Sequence, residues 1–322
     1  MFPPKDQLTI CFAHAAYQMQ ACFDALNTGI GRFELRDRAE LDRRIGEADV
    51  LVISGLWHNG LIELGTRLRF IQSIGSGTDQ FDRAALTARG IRLASAAGVN
   101  ARAVAEHAMA LILALARRLP EARDNQAQRL WRGMISDLTQ REDELGGKTL
   151  LVIGLGRIGG RLAQLGKAFD MRVVGFRRDP AAGRGAADSV HALKELPAFL
   201  PQADYVALTC PLTDETRGVI DARTLALLPP GASVVNCARG PCVVEADLIA
   251  ALQAGRLAGA ALDTTDPEPL PAESPLWGMA NVLITPHTAG ETRKYEANVI
   301  EILMENLDRL WRGESALRNG VI

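Results

Sequence analysis

The segment that most restricts what this chain can fold into is TLLVIGLGRIGGRLAQLGKAFDMRVVGFRR, residues 149–178. Leu150 to Ile153 form an unbroken apolar run, as a strand buried on both faces of a parallel sheet requires. Gly154, Gly156 and Gly159 follow at G-x-G-x-x-G spacing. The first permits a tight turn, the second lets the backbone approach a pyrophosphate, and the third lets a new helix pack closely on the strand. The helix predicted over Arg157–Phe169 carries Ile158, Leu162, Leu165 and Phe169 at helical spacing, and Met171–Phe176 reads as the second strand of a βαβ unit. An anion at the start of that helix would meet free N–H groups and the positive end of the dipole. A strand-to-helix corner alone would account for the glycines, but not for the complete unit around them.

At the end of the second strand an acid usually hydrogen-bonds the adenosine ribose diol, and here Arg177 and Arg178 stand instead. A guanidinium pairs with a 2′-phosphate, and removing the acid removes a repulsion towards it. The cofactor expected is therefore NADP(H), with NAD(H) second. The competing reading is a pair of solvated arginines.

With 322 residues there is material for two cores, and a formal net charge of −2 provides no electrostatic footprint for nucleic acid. MFPPKDQLTICFAHAAY lacks a basic region leading into a long apolar core, and no later run approaches a membrane span, so a cytoplasmic location without a membrane partner is expected. The five cysteines form no C-x-x-C pair and the five histidines show no i, i+4 spacing, which points to small buried thiols and no metal site.

Residues 8–95 alternate strands at Leu8–Phe12, Val50–Ile53, Phe70–Ile74 and Ile91–Ala94 with helical stretches such as Ala15–Leu26, the pattern of a small α/β domain. A strong helix former runs from Ala101 to Arg118, with Pro120 expected to close it. Further strands at Tyr205–Thr209, Ser233–Asn236, Gly259–Leu262 and Val282–Thr285 continue the second domain, with a helix at Glu245–Ala254 that Gly255 ends. The long helix near Glu291–Trp311 has no strand to follow and is expected to return to the first domain. The fold class is thus α/β with two doubly wound domains and a cleft between them. A Rossmann dinucleotide-binding domain covers 100–290, and a smaller flavodoxin-like substrate domain is assembled from 1–99 and 291–322.

Chemistry in such sheets lies beyond the carboxyl ends of the strands. Arg239 follows one strand and offers a bidentate partner for a carboxylate. Glu268 sits among prolines in a loop expected to be rigid and extended, and His287 lies just past the last strand. An acid paired with an imidazole is an acid–base device, although each residue alone would read as a surface or structural group.

These residues carry a resemblance. The chain resembles the D-isomer-specific 2-hydroxyacid dehydrogenases, among them glyoxylate/hydroxypyruvate reductases, through IQSIGSGTDQF (71–81), AGVNARAVAE (97–106), Leu145–Gly160, PLTDET (211–216), Asn236–Gly240, Asp263 with Glu268-Pro269-Leu270, and Thr285-Pro286-His287. The resemblance implies that Arg239 binds the substrate carboxylate and carbonyl, that Glu268 supports His287, and that His287 is the general acid or base. It implies backbone N–H groups at Ser76 and Gly77 for the same carboxylate, and Asp263 at the nicotinamide carboxamide. Cofactor contacts from Arg157, Ile158, Pro211, Thr216, Cys237, Ala238 and Gly290 follow by position, as does a homodimer through the cofactor domain. Thr264-Thr265 depart from the family's Val-Phe, which is expected to loosen packing beside the nicotinamide. The chain stops soon after its last helix, so the regulatory domain of longer phosphoglycerate dehydrogenases is not expected. Leu56 and Trp57 line an acyl pocket or pack within their domain. Two other functions share the scaffold: a nucleotide-sensing binding protein like the C-terminal binding protein corepressors, and an NAD-dependent oxidative dehydrogenase.

Overall fold

Strands that are apolar on both faces must be covered on both, and two parallel sheets sandwiched by helices satisfy that demand here. The computed structural model describes residues 2–322 other than the side chain of Thr139. The chain divides into two units, one made of the chain up to Asn100 together with Thr292–Ile322, the other of Ala101–Glu291.

In the first unit, β1 (Thr9–Ala13), β2 (Gly31–Leu35), β3 (Val50–Ile53), β4 (Phe70–Ser73) and β5 (Arg92–Ala94) form a parallel sheet in the order β2-β1-β3-β4-β5. That is the doubly wound order of flavodoxin-like folds. The last helix, Tyr295–Trp311, lays Val299, Leu303 and Leu307 against Leu8, Ile10 and Phe12 of this unit. Its register is set by polar groups. The buried Asn306 amide donates to Gln72 Oε1 at 3.0 Å and accepts from the Arg318 N–H at 2.8 Å, while the Tyr295 hydroxyl donates to the Ile74 carbonyl. Unpaired, such buried groups would each cost about 1–3 kcal/mol, so this pairing specifies where the helix stops sliding.

In the second unit, β6 (Thr149–Ile153), β7 (Arg172–Phe176), β8 (Ser189–His191), β9 (Tyr205–Leu208), β10 (Ser233–Asn236), β11 (Gly259–Leu262) and β12 (Val282–Ile284) take the order β12-β11-β10-β9-β6-β7-β8. This is the Rossmann arrangement with one added strand, and all of its pairings are parallel. Helices Ala101–Ala116 and Arg157–Ala168 cover one face, burying Ala105, Ala108, Ile112, Leu162 and Ala163. Leu196, Leu200, Leu225 and Leu248 cover the other. Among the described residues no helix is long and apolar enough to cross a membrane.

Several expectations need correction. The edge strands β2 and β8 escape the sequence pattern because they are mostly exposed or half buried, with no apolar run to mark them. The first helix is only Met19–Asp24, since the His14 Nδ1 accepts from the N–H groups of Ala16 and Tyr17 and holds that stretch in a turn. Pro120 opens a helix, Leu119–Ala127, instead of closing one; the preceding helix ends at Ala116, and Arg118 breaks the chain direction at φ 48°. A proline in the first helical turn gives up no intrahelical bond. The last helix begins at Tyr295, after a Thr292 turn, and not at Glu291.

Candidate active site

The glycine turn is shaped by close approach. Gly154 has φ +99°, and a Cβ there would lie 2.5 Å from the Cys210 backbone. One at Gly159 would lie 2.3 Å from the Gly154 carbonyl oxygen, whereas a Cβ at Gly156 meets nothing within 4 Å. Two glycines therefore close the corner, and the third faces open space at the start of the Arg157–Ala168 helix, which Arg157 and Ile158 begin. A cavity of about 330 Å³ opens there, lined by Gly154, Gly156, Arg177, Arg178, Pro211 and Thr216 among others. The Thr216 hydroxyl donates to the Pro211 carbonyl at 2.7 Å and accepts from Thr213 N–H at 2.8 Å, which folds PLTDET over the cavity's edge.

At the end of β7, on the lining of this cavity, Arg177 Nη1 donates to the Gly183 carbonyl at 3.1 Å, and Arg178 is exposed. Asp179 lines the same cavity, and its carboxylate accepts from the Ala181 N–H at 3.0 Å. Sequence reasoning missed this acid, although Asp followed by Pro180 is a helix-capping signal.

The ends of β10, β11 and β12 share one sheet edge. After β10 the buried Asn236 side chain donates to the Arg239 carbonyl and accepts from the Ala238 N–H, so the chain turns sharply and leaves Arg239 half buried, its Nη1 on the Ala238 carbonyl at 2.7 Å. A Cβ on Gly240 would fall 1.9 Å from the Thr265 carbonyl oxygen, so the Arg239 loop rests directly on the loop after β11. Cys237 and Ala238 are buried. Burial, then the charge of Asp263, pushes the Cys237 thiol well above its usual range, which leaves it protonated and unreactive.

His287 Nδ1 and Glu268 Oε2 are 3.0 Å apart, with both side chains close to half exposed. The loop carrying Glu268 is bent, not extended: Thr265 N–H donates to Glu268 Oε1 at 3.4 Å and the Thr265 hydroxyl to the Pro267 carbonyl at 2.9 Å. His287 has φ +54°, a conformation that costs energy for a residue with a Cβ and needs the surroundings to hold it. Asp263 provides that hold. Only 3% exposed, its carboxylate accepts from the Thr285 hydroxyl at 2.7 Å, Thr288 N–H at 3.0 Å and Ala289 N–H at 3.2 Å, gripping the chain on both sides of His287. The Thr285 hydrogen goes to Asp263, so Thr285 accepts from His107 Nε2 at 3.0 Å. His107 was not legible as a site residue because it lies in a helix whose partner is 178 positions away.

Thr264 and Thr265 are both buried, and the Thr264 hydroxyl has no hydrogen-bond partner among the described residues. Gly290 follows directly on the Ala289 contact. Glycine turn, Arg177, Arg239, Glu268, Asp263 and His287 all belong to the second unit, whereas Ser76, Gly77, Leu56 and Trp57 belong to the first. There Ser76 is exposed, with Oγ 3.3 Å from Asn100 Oδ1. Leu56 is half buried, and Trp57 is buried with its ring centre 4.6 Å from that of Phe81, a core contact.

The family described as D-isomer specific 2-hydroxyacid dehydrogenase, NAD binding domain, matches residues 109–289. A D-3-phosphoglycerate dehydrogenase of Methanocaldococcus jannaschii is 37% identical over 87% of this chain and 53% of its own length. The chain therefore spans about half of that relative. A glyoxylate reductase of Aeropyrum pernix is 37% identical over 79% of this chain and 76% of its own. Among solved structures, a D-isomer specific 2-hydroxyacid dehydrogenase family protein of Aeromonas salmonicida superposes with a TM-score of 0.85 at 31% identity, covering 98% of this chain and 99% of that one. A match across most of the second unit, joined to relatives more than a third identical along most of the chain, makes this protein a member of the D-isomer specific 2-hydroxyacid dehydrogenase family.

Proposed function

We propose that the protein is an oxidoreductase that moves a hydride between NADP(H) and C2 of a small 2-keto or 2-hydroxy acid, as a glyoxylate/hydroxypyruvate reductase-like enzyme. The observation that carries this reading is the His287–Glu268 pair at 3.0 Å, held by Asp263 at the sheet edge where the Arg239 loop also ends. When bound, the nicotinamide would supply or accept the hydride. The chain's own groups do the rest. Nδ1 faces Glu268, which leaves His287 Nε2 to give a proton to the carbonyl oxygen in reduction, or to take one from the hydroxyl in oxidation. Glu268 holds the ring through Nδ1, and Arg239 pairs with the carboxylate and stabilises negative charge on the reacting oxygen. Asp263 keeps the His287 loop in place, and its Oδ2, which also accepts from the Ala289 N–H at 3.2 Å, has a lone pair left for the carboxamide. Ser76 and Gly77 belong to the same proposal as carboxylate ligands, which makes the first unit the substrate domain.

The cradle fits a dinucleotide: Gly156 opens onto the cavity, as a pyrophosphate requires, with Pro211 and Thr216 on its lining and Arg157 and Ile158 opening the helix that starts there. Arg177 and Arg178 favour the 2′-phosphate, and reduction is then the cellular direction. Asp179, in the same cavity, supports NAD(H) as the second reading. A homodimer is supported by the segment after the Leu119–Ala127 helix, where Trp131 is 96% and Met134 103% exposed, apolar surface that a second copy would cover. A cytoplasmic location goes with a metabolic enzyme of this kind. The test is steady-state turnover of a 2-keto acid panel, including glyoxylate and hydroxypyruvate, with NADPH and with NADH. Turnover of none of them would leave a nucleotide-binding protein, and equal or better kcat/KM with NADH would remove the NADP(H) preference.

A further inference from the structure

Beside the cavity at the glycine turn lies a second one of about 560 Å³, and three residues, Arg178, Leu193 and Glu215, line both. The second cavity brings in a cation from another loop: Lys194, at the start of the turn that follows β8. The charges around this rim are unevenly committed. Arg177 is tied to its own loop through the Gly183 carbonyl, whereas among the described residues neither Arg178 nor Lys194 makes a salt bridge. Of the nearby acids, Asp179 accepts from the Ala181 N–H, and Glu195, which lines neither cavity, accepts from the Ala192 N–H at 3.0 Å and has His191 at 3.4 Å, with the charge of Lys194 acting on it more weakly than either. The Thr224 hydroxyl is engaged by the Asp221 cap. Glu215 alone places a carboxylate on both cavities, where it opposes an anion but is exposed and can turn outward. Three cations against two acids, one of these already engaged, leave a positive rim that a dinucleotide without a further phosphate does not use.

We propose that Lys194 and Arg178 form the outer wall of a 2′-phosphate site, so that the phosphate of NADP(H) is gripped from two loops, the one after β7 and the one after β8. This rests on the NADP(H) reading above and adds to it a specificity-determining residue outside the glycine unit. Ammonium and guanidinium contribute differently: Arg178 offers a fork to two phosphate oxygens, Lys194 a point charge on a flexible stem.

Binding of NADPH, NADH, 2′,5′-ADP and 5′-AMP to the full chain, measured by titration calorimetry at fixed ionic strength, tests it without any assay of turnover. Lys194→Gln is expected to weaken NADPH and 2′,5′-ADP about tenfold, with NADH and 5′-AMP within about twofold, and Lys194→Arg to restore most of the loss. Raising the salt should shrink the difference, as for any exposed charge pair. If the unmutated protein prefers NADPH and Arg177→Asp abolishes that preference while Lys194→Gln changes nothing, the Lys194 assignment is wrong and the cofactor reading survives. If the unmutated protein binds NADH as well as NADPH, both fall.

Discussion

The loops after β11 and β12 and the loop after β7 stand at the same edge of one sheet and are built in opposite ways. Around His287, one buried carboxylate accepts from a hydroxyl and two N–H groups, a second carboxylate pairs with the ring, and a glycine at 240 lets the neighbouring loop press against the backbone. Around Arg177 there are two side-chain bonds, both local to the loop, Arg177 to the Gly183 carbonyl and the Ala181 N–H to Asp179, and the rest is exposed charge. The lesson is that positioning and selection are different demands. If His287 delivers the proton and Arg177 selects the phosphate, as proposed, the donor is locked because a proton must travel along one line, while charge tells a phosphate from its absence without a rigid frame.

The sharpest way to break this comparison is to remove the locked donor. His287→Ala should lower turnover by about 10²–10⁴-fold with NADPH affinity kept, measured by kcat beside a binding titration; near-normal turnover would make His287 structural. Glu268→Gln, which loses the carboxylate paired with the ring at 3.0 Å, should lower kcat with NADPH affinity kept, and an unchanged kcat would take Glu268 out of the pair. Next in size is Arg239. Arg239→Ala should cost on the order of 10²-fold in kcat/KM for the keto acid, Arg239→Lys should recover only part of it, and NADPH binding should hold in both. Loss of cofactor with normal substrate kinetics would refute the assignment. On the loosely held side, Arg177→Asp should weaken NADPH by roughly one to two powers of ten, with NADH unchanged or improved, in parallel titrations. The smallest effect falls on the lock itself: Asp263→Asn keeps an acceptor oxygen but loses the charge, and should reduce unfolding free energy by about 1 kcal/mol in urea titration. An unchanged midpoint would mean that the His287 loop holds itself.

The same contrast explains what could be read in the sequence. The β6-turn-helix-β7 unit was legible because a strand buried on both faces must be written as an apolar run, and Gly154 and Gly159 because nothing larger fits. Arg239, Glu268 and His287 were legible as strand-end residues. The grip of Asp263 on both sides of His287, and the bond from His107 to Thr285, were not, since each joins residues that the sequence keeps far apart. Edge strands β2 and β8 were lost because half-exposed strands carry ordinary surface residues.

The return of the Tyr295–Trp311 helix to the first sheet has a consequence for how the chain comes off the ribosome. The apolar face of β1, with Leu8 close by, is made before the second unit begins, but the side chains that cover it, Val299, Leu303 and Leu307, are made only after that unit is complete. Domains generally fold as units during synthesis. Here the contiguous second unit can complete itself while the first still waits, its sheet exposed, for Asn306 to reach Gln72. The nascent protein therefore carries an open apolar surface throughout the synthesis of the second unit, which is the interval in which a chaperone has something to bind and a destabilising change in the Tyr295–Trp311 helix does the most harm.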